Sequence, residues 1–181
     1  MARLLIDFLK QRLYYDGMTI YNLVKESDDI LSEISSEWDW DNDGEIAEFA
    51  QSMLKIMFEN NGLGLAAPQI GVSKRVFVMG NQQRSYICVN PEIISTAGTK
   101  RDQEGCLSFP GLWLNVERPD TITVKYQDII GRAQEHEFTG LPARVFQHEL
   151  DHLNGVSFVN KVGKLSLDLA TKRRKKNLKR K

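Results

Sequence analysis

Residues 148–152 read His-Glu-Leu-Asp-His, and no other stretch of this sequence restricts the chain as tightly. Two histidines four residues apart share a face only on a helix, where both imidazoles reach one metal ion. Glu149 follows directly and points beside the ion, where it can accept a proton from a water there. The helix is expected from about Pro142, a good first-turn residue, to Asn154, with Gly155 closing it. The only other histidine, His136, alternates with acids in AQEHEF and reads as an exposed strand residue rather than a ligand.

A catalytic metal needs a third protein ligand and one open position. Beyond His152 the chain has neither Glu nor His, so the donor comes from upstream. Cys106 in EGCLSFPG is the obvious candidate, since Glu104, Gly105, Ser108, Pro110 and Gly111 around it describe a shaped loop. Cys88, in the apolar run YICVN, reads instead as a small buried residue. Two cysteines allow one bridge at most, which excludes a disulfide scaffold and favours a reducing compartment. A third motif, GLGLAAPQIG at 62–71, lacks the Lys-Ser/Thr of a phosphate loop. Its glycines suit close backbone approach to a ligand, with Gln69 as a neutral amide donor at the edge of the site.

Around these motifs the pattern is α+β. EIAEFAQSMLKIMFEN carries Ile46, Phe49, Ala50, Met53 and Met57 at helical spacing, with Asn42 and Glu45 as a capping pair and Asn61-Gly62 as the stop. Short β-like runs follow at 75–79, 85–90, 121–126 and 133–138, the last two joined by a turn at Asp128–Gly131. A third helix is expected in KLSLDLATKRRKKNLKRK, with a thin apolar stripe. No βαβ alternation points to a nucleotide fold. Asp39, Asp41, Asp43 and Gly44 imitate a calcium loop, but its twelfth position is Ala50 where a bidentate Glu belongs.

The 24 basic and 24 acidic residues cancel, yet they are not mixed. Residues 161–181 hold ten basic side chains against Asp168, a +9 tail on a body of −9, which suggests that the tail alone meets a polyanion. No apolar run approaches a membrane span, and the first residues resemble neither a signal nor a transit peptide.

Taken together and in this order, GLGLAAPQIG, EGCLSFPG and QHELDHLNG resemble the three signature motifs of the peptide deformylases. The resemblance covers about residues 42–181. The N-terminal third fits less well: LVKESDDILSEIS lacks the proline and arginine of the family's usual stretch, and Met18 is a family-like start that makes 1–17 an extension. The resemblance implies one domain over 1–181, with the HExxH helix surrounded by antiparallel sheets and followed by a C-terminal helix. It implies removal of the formyl group from the formyl-methionine of nascent chains in the cytoplasm of a bacterium or a bacterium-like setting. Cys106, His148 and His152 would hold Fe(II), with Ni, Co or Zn as substitutes, and Glu149 would be the acid/base. Gln69 and the Leu107 backbone N–H would stabilise the oxyanion.

Leu63, Leu141 and Val145 are expected to line the methionine pocket, and the peptide backbone to pair with Gly64 and with a strand over 104–107 that includes Glu104 and Gly105. Arg118 is expected to pair with Asp151 and steady the metal helix. The tail is expected to dock on the ribosome near the nascent-chain exit, with no membrane or DNA partner. Two other readings stay open on the residues alone: an HExxH peptidase, and a silent ribosome- or RNA-binding module.

Overall fold

The computed structural model describes residues 21–44 and 46–178. The expected extension 1–17, the start at Met18, the Glu45 half of the capping pair and residues 179–181 lie outside them.

The apolar stripe of 46–59 decides the first helix. α1 (Ile46–Glu59) buries Ile46, Phe49, Ala50, Met53 and Met57 on one side. It closes where Asn61 adopts φ 55 and the Gly62 N–H reaches the Met57 carbonyl at 2.8 Å, a left-handed stop of the kind that satisfies the last carbonyls. The strands are β1 (Gly64–Ala66), β2 (Val76–Gly80), β3 (Ser85–Ala97), β4 (Lys100–Gly105), β5 (Trp113–Arg118), β6 (Thr121–Gln127) and β7 (Ala133–Thr139). Five form an antiparallel sheet in the order β1-β2-β3-β6-β7, and β4 pairs with β5 apart from it. The four runs read from sequence fall on β2, β3, β6 and β7. The expected hairpin turn is present, with Gly131 at φ 77 donating to the Asp128 carbonyl at 3.0 Å. The strand expected over 104–107 is corrected to β4, which ends at Gly105 and leaves Cys106 and Leu107 in the turn after it; the short β1, β5 and the far half of β3 are additions.

Both faces of the large sheet are covered, so β2 is apolar at every internal position. Phe77 and Met79 face α2 (Leu141–Leu153) and pack with Phe138, Phe146, Leu150 and Leu153. The Phe77 and Phe146 rings meet edge to face, centroids 4.9 Å apart. Val76 and Val78 face the other way, against Met53, Met57 and Leu65. The small sheet lays Leu112, Leu114 and Val116 over Phe158. Caught among these layers, α2 buries polar as well as apolar side chains, including Arg144, Gln147, His148, Glu149 and His152.

The atypical N-terminal segment is nonetheless tied to this frame. Leu31 is buried, the Val24 N–H donates to the Gln69 carbonyl at 2.9 Å, and the Ser35 N–H donates to the Leu153 carbonyl at 2.9 Å. The calcium-like stretch is a turn in which two of the three carboxylates are already engaged: Asp39 accepts from Asn42 and from the Asp41 N–H, and Asp43 accepts from the Asp39 N–H and pairs with Lys74 at 2.7 Å. The tail forms α3 (Lys164–Leu178), resting Leu167 and Ala170 on the small sheet's core while burying no residue fully.

Candidate metal centre

The helical periodicity of α2 turns His148, Glu149 and His152 towards the end of β4, and all three are buried. Cys106 comes directly after β4. Its Sγ lies 3.2 Å from His152 Nε2, and the Cys106, His148 and His152 ligand atoms all fall within 4.8 Å of one another. One ion with bonds of about 2.0–2.3 Å can meet all three. Among the described residues this is the only such group. His148 Nδ1 is 3.0 Å from Glu104 Oε2, which leaves Nε2 for an ion. His152 Nδ1 is buried with no protein partner among the described residues.

Gln69 is held in a buried 3-10 turn, Ala67–Ile70. Its Oε1 accepts from the Ala66 N–H at 2.8 Å, which fixes the amide so that Nε2 points to Cys106 Sγ (3.4 Å) and Ser108 Oγ (3.3 Å). Glu149 lies against Gly64, and its Oε2 is buried with no hydrogen-bond partner among the described residues. Burial pushes the Glu149 carboxyl up to about 7, against the pull of His148 and Arg118. For His148, burial opposes the charge, but the contacts with Cys106 and Glu104 prevail and hold it up at about 10. An ion taking Nε2 therefore displaces a proton. Burial depresses His152 well below its ordinary value, which leaves the neutral imidazole a metal needs.

A cavity of about 540 Å³ opens over this cluster. Leu63, Gly64, Gln69, Glu104, Gly105, Cys106, Leu107, Leu141, Val145, His148 and Glu149 are all in its lining, so every residue expected from sequence except His152 reaches it. No acceptor pairs with the Leu107 N–H among the described residues. Leu141 is 59% exposed, which removes plain core packing as its reason; Val145 both lines the cavity and packs on the core.

The sequence assigns Glu104 to a bound peptide, but its side chain is committed elsewhere. Oε1 accepts from Arg118 Nε and from Arg144 Nη1, both at 2.6 Å, and Oε2 accepts from Arg118 Nη2 at 2.9 Å. Burial would raise this carboxyl, yet the hydrogen bonds from His148 and Arg118 hold it at about 2. Arg118 also donates to Asp151 at 2.8 Å, the expected pair, and Lys161 reaches the other Asp151 oxygen at 3.0 Å. Arg144, unremarked in sequence, donates further to the Val116 and Lys100 carbonyls and so bolts α2 to the small sheet. His136 is corrected too: it is half-buried, stacked between Tyr126 and Phe138.

A Cβ on Gly64 would overlap the Glu149 carboxylate. Gly64→Ala is therefore expected to cost about 1–3 kcal/mol as the strand or Glu149 moves aside, readable in chemical denaturation. A cost near zero would mean that this contact is loose.

The family model described as polypeptide deformylase matches residues 20–167. A peptide deformylase of Synechococcus sp. (strain RCC307) is 45% identical over 124 residues, 65% of this chain. The match spans only 62% of that relative's own length. One of Rhizobium meliloti (strain 1021) is 39% identical over 162 residues, covering 86% of this chain and 92% of its own. Among solved structures, the peptide deformylase of Legionella pneumophila superposes with a TM-score of 0.81 at 35% identity, over 89% of this chain and 96% of its own. That of Thermus thermophilus gives 0.80 at 39% identity over the same shares.

Proposed function

We propose that this chain, which belongs to the peptide deformylase family, removes the formyl group from the N-terminal formyl-methionine of nascent polypeptides and releases formate. The observation that carries the reading is the convergence of a thiol and two imidazoles near the buried Glu149 carboxylate, whose Oε2 has no partner among the described residues, at one cavity. The donor set suits one divalent ion, and membership of the family makes Fe(II) the first expectation, with Ni, Co or Zn able to replace it. The fixed tilt of His148 towards Glu104 leaves the correct nitrogen free for the ion. When bound, the ion supplies Lewis acidity that lowers the pKa of water and polarises a carbonyl.

The chain's own groups do the rest. Glu149 accepts a proton from the attacking water as its oxygen bonds to the formyl carbon. It returns that proton to the departing amine as the C–N bond breaks, which leaves formate and a free N-terminus. Gln69 Nε2, its amide fixed through Oε1, and the Leu107 N–H, unpaired among the described residues, offer hydrogen bonds to the developing oxyanion; one such donor is worth about 3–4 kcal/mol. Leu63, Leu141 and Val145 give an unbranched apolar side chain its walls. β1 is an edge strand of the sheet, so a peptide backbone can pair with Gly64 on one side and the Glu104–Gly105 backbone on the other.

The test is formate release from formyl-Met-Ala by protein loaded with iron in the absence of oxygen. No release at full metal occupancy, with casein cleaved instead, would replace this reading with a peptidase.

The basic α3 is proposed to meet the ribosome in the cytoplasm of a bacterium or a bacterium-like setting. No helix among the described residues is long and apolar enough to cross a membrane. Lys172, Arg173, Lys175 and Lys176 are all exposed, while Arg174 is tied to Glu26 at 2.7 Å. Changing those four to alanine should leave short-peptide hydrolysis intact and flatten the salt dependence of ribosome binding, by about one in log–log slope for each phosphate no longer neutralised. An unchanged slope in a co-sedimentation assay would exclude the ribosome as the partner of α3.

A further inference from the structure

The turn that follows β4 supplies three consecutive residues around the site. The Phe109 N–H donates to the Cys106 carbonyl at 3.0 Å and closes this turn through backbone alone. Cys106 brings its sulfur to the two histidines, and Leu107 lines the cavity over them. Ser108, the third, lies off the cavity wall and is only 3% exposed.

The turn does not need the Ser108 hydroxyl. Among the described residues its Oγ has one hydrogen-bond partner, Gln69 Nε2 at 3.3 Å, and none on the backbone of its own turn. Gln69 comes from a distant element, the 3-10 turn Ala67–Ile70, and is 1% exposed. A buried hydroxyl thus spans 39 positions of the chain to reach one side-chain amide.

A carboxamide nitrogen carries two hydrogens that point in different directions within the amide plane. The Ala66 N–H, 2.8 Å from Gln69 Oε1, settles which end of the amide is oxygen, but one bond leaves the plane free to turn about it. Two acceptors lie within reach of Nε2, Ser108 Oγ and, at 3.4 Å, Cys106 Sγ. With one hydrogen on Ser108 the plane is set, and the second is directed towards Cys106, which is part of the cavity wall. Without the hydroxyl, a fully buried donor has nothing to bond. Leaving such a donor unmade is costly enough to turn the amide towards another acceptor.

We propose that Ser108 is a positioning residue for the oxyanion donor: its Oγ accepts one hydrogen of Gln69 Nε2 and so holds the other aimed at the oxygen of the reacting formyl group. The inference rests on the deformylase reading and deepens it. Ser108 touches neither substrate nor ion and acts through Gln69 alone. The aim of that second hydrogen matters most as charge develops on the oxygen, so its loss is felt in kcat and not in the binding of the methionine side chain.

The test is a double-mutant cycle on the metal-loaded full chain with formyl-Met-Ala as substrate. Ser108→Ala should lower kcat about 10–100-fold, hold KM within about twofold and leave the metal content unchanged. In a Gln69→Ala background the same change should cost nothing further, because the group that it positions is gone. An equal cost in both backgrounds, or a loss confined to KM or to metal content, would overturn the proposal. A second readout is independent of turnover: hydrogen exchange of the Gln69 side-chain amide, followed by NMR in the zinc-loaded protein. Ser108→Ala should speed it about threefold to tenfold, the worth of one neutral hydrogen bond. Unchanged exchange in the variant, or wild-type exchange as fast as that of a free glutamine side chain, would sink the contact whether or not the variant folds well enough to assay. A wild-type chain with a protected amide but no formate release would overturn the deformylase reading instead and leave the contact standing.

Discussion

Replacing Glu149 by glutamine is expected to lower formate release by about 10²–10⁴-fold while leaving the metal content unchanged. The magnitude follows from the proposed role, in which the carboxylate moves the one proton that must leave the water and reach the amine; an amide cannot accept it. The separation from metal binding follows from geometry. The three converging ligand atoms belong to Cys106, His148 and His152, whereas Glu149 lies against Gly64 on the cavity side. Stability should not fall, because Glu149 Oε2 is buried without a partner among the described residues, and an amide of the same shape removes a buried charge instead of orphaning one. The measurement pairs metal analysis with initial rates on one preparation. A variant with full metal and wild-type rates would show that the proton travels by another route. A variant that loses its metal would show that Glu149 acts on the ion's own ligands.

The parts of this site that the sequence disclosed are those where one element forces the geometry. A helix dictates that residues 148 and 152 face the same way, and the lack of any donor after His152 points back to Cys106. The hairpin of β6 and β7 was legible because both strands alternate about a recognisable turn. β4 was legible only at its end beside Cys106, since KRDQEG has no apolar alternation to reveal which side faces inward, and only the fold turns Glu104 under His148. Arg144 was hidden for a related reason. On α2 it falls among apolar neighbours, and a guanidinium belongs there only because Glu104 and two carbonyls arrive from the small sheet. His136 misled because its flanking acids point outwards while its ring enters an aromatic cluster on the other face of the strand. Local pattern reports periodicity; it does not report which distant side chain completes a buried charge.

That buried charge gives the largest expected loss of stability. Glu104→Ala is expected to destabilise the fold by about 3–5 kcal/mol, because Arg118 and Arg144 remain buried after their shared carboxylate is gone. Arg118 keeps Asp151, and Arg144 keeps two carbonyls but no charge of opposite sign. In a chain of this size the loss corresponds to a fall of about 6–20 °C in melting temperature. Metal affinity should fall as well, by about 10–100-fold, since His148 loses the partner that fixes its ring and tautomer. Glu104→Gln separates charge from shape: it keeps the side-chain volume and one good acceptor, yet cannot neutralise two guanidiniums. The pH dependence identifies the cause. Glu104 is held at about 2 against an ordinary 4.5, so its stabilisation is complete above pH 4.5 and is lost as pH falls from 4.5 towards 2. A displacement of that size is worth about 3 kcal/mol at neutral pH. The stability difference between wild type and Glu104→Gln should therefore be constant above about pH 5 and shrink below it. A difference that persists undiminished at about pH 2.5 would mean that packing, and not the carboxylate's charge, ties the metal helix to the small sheet.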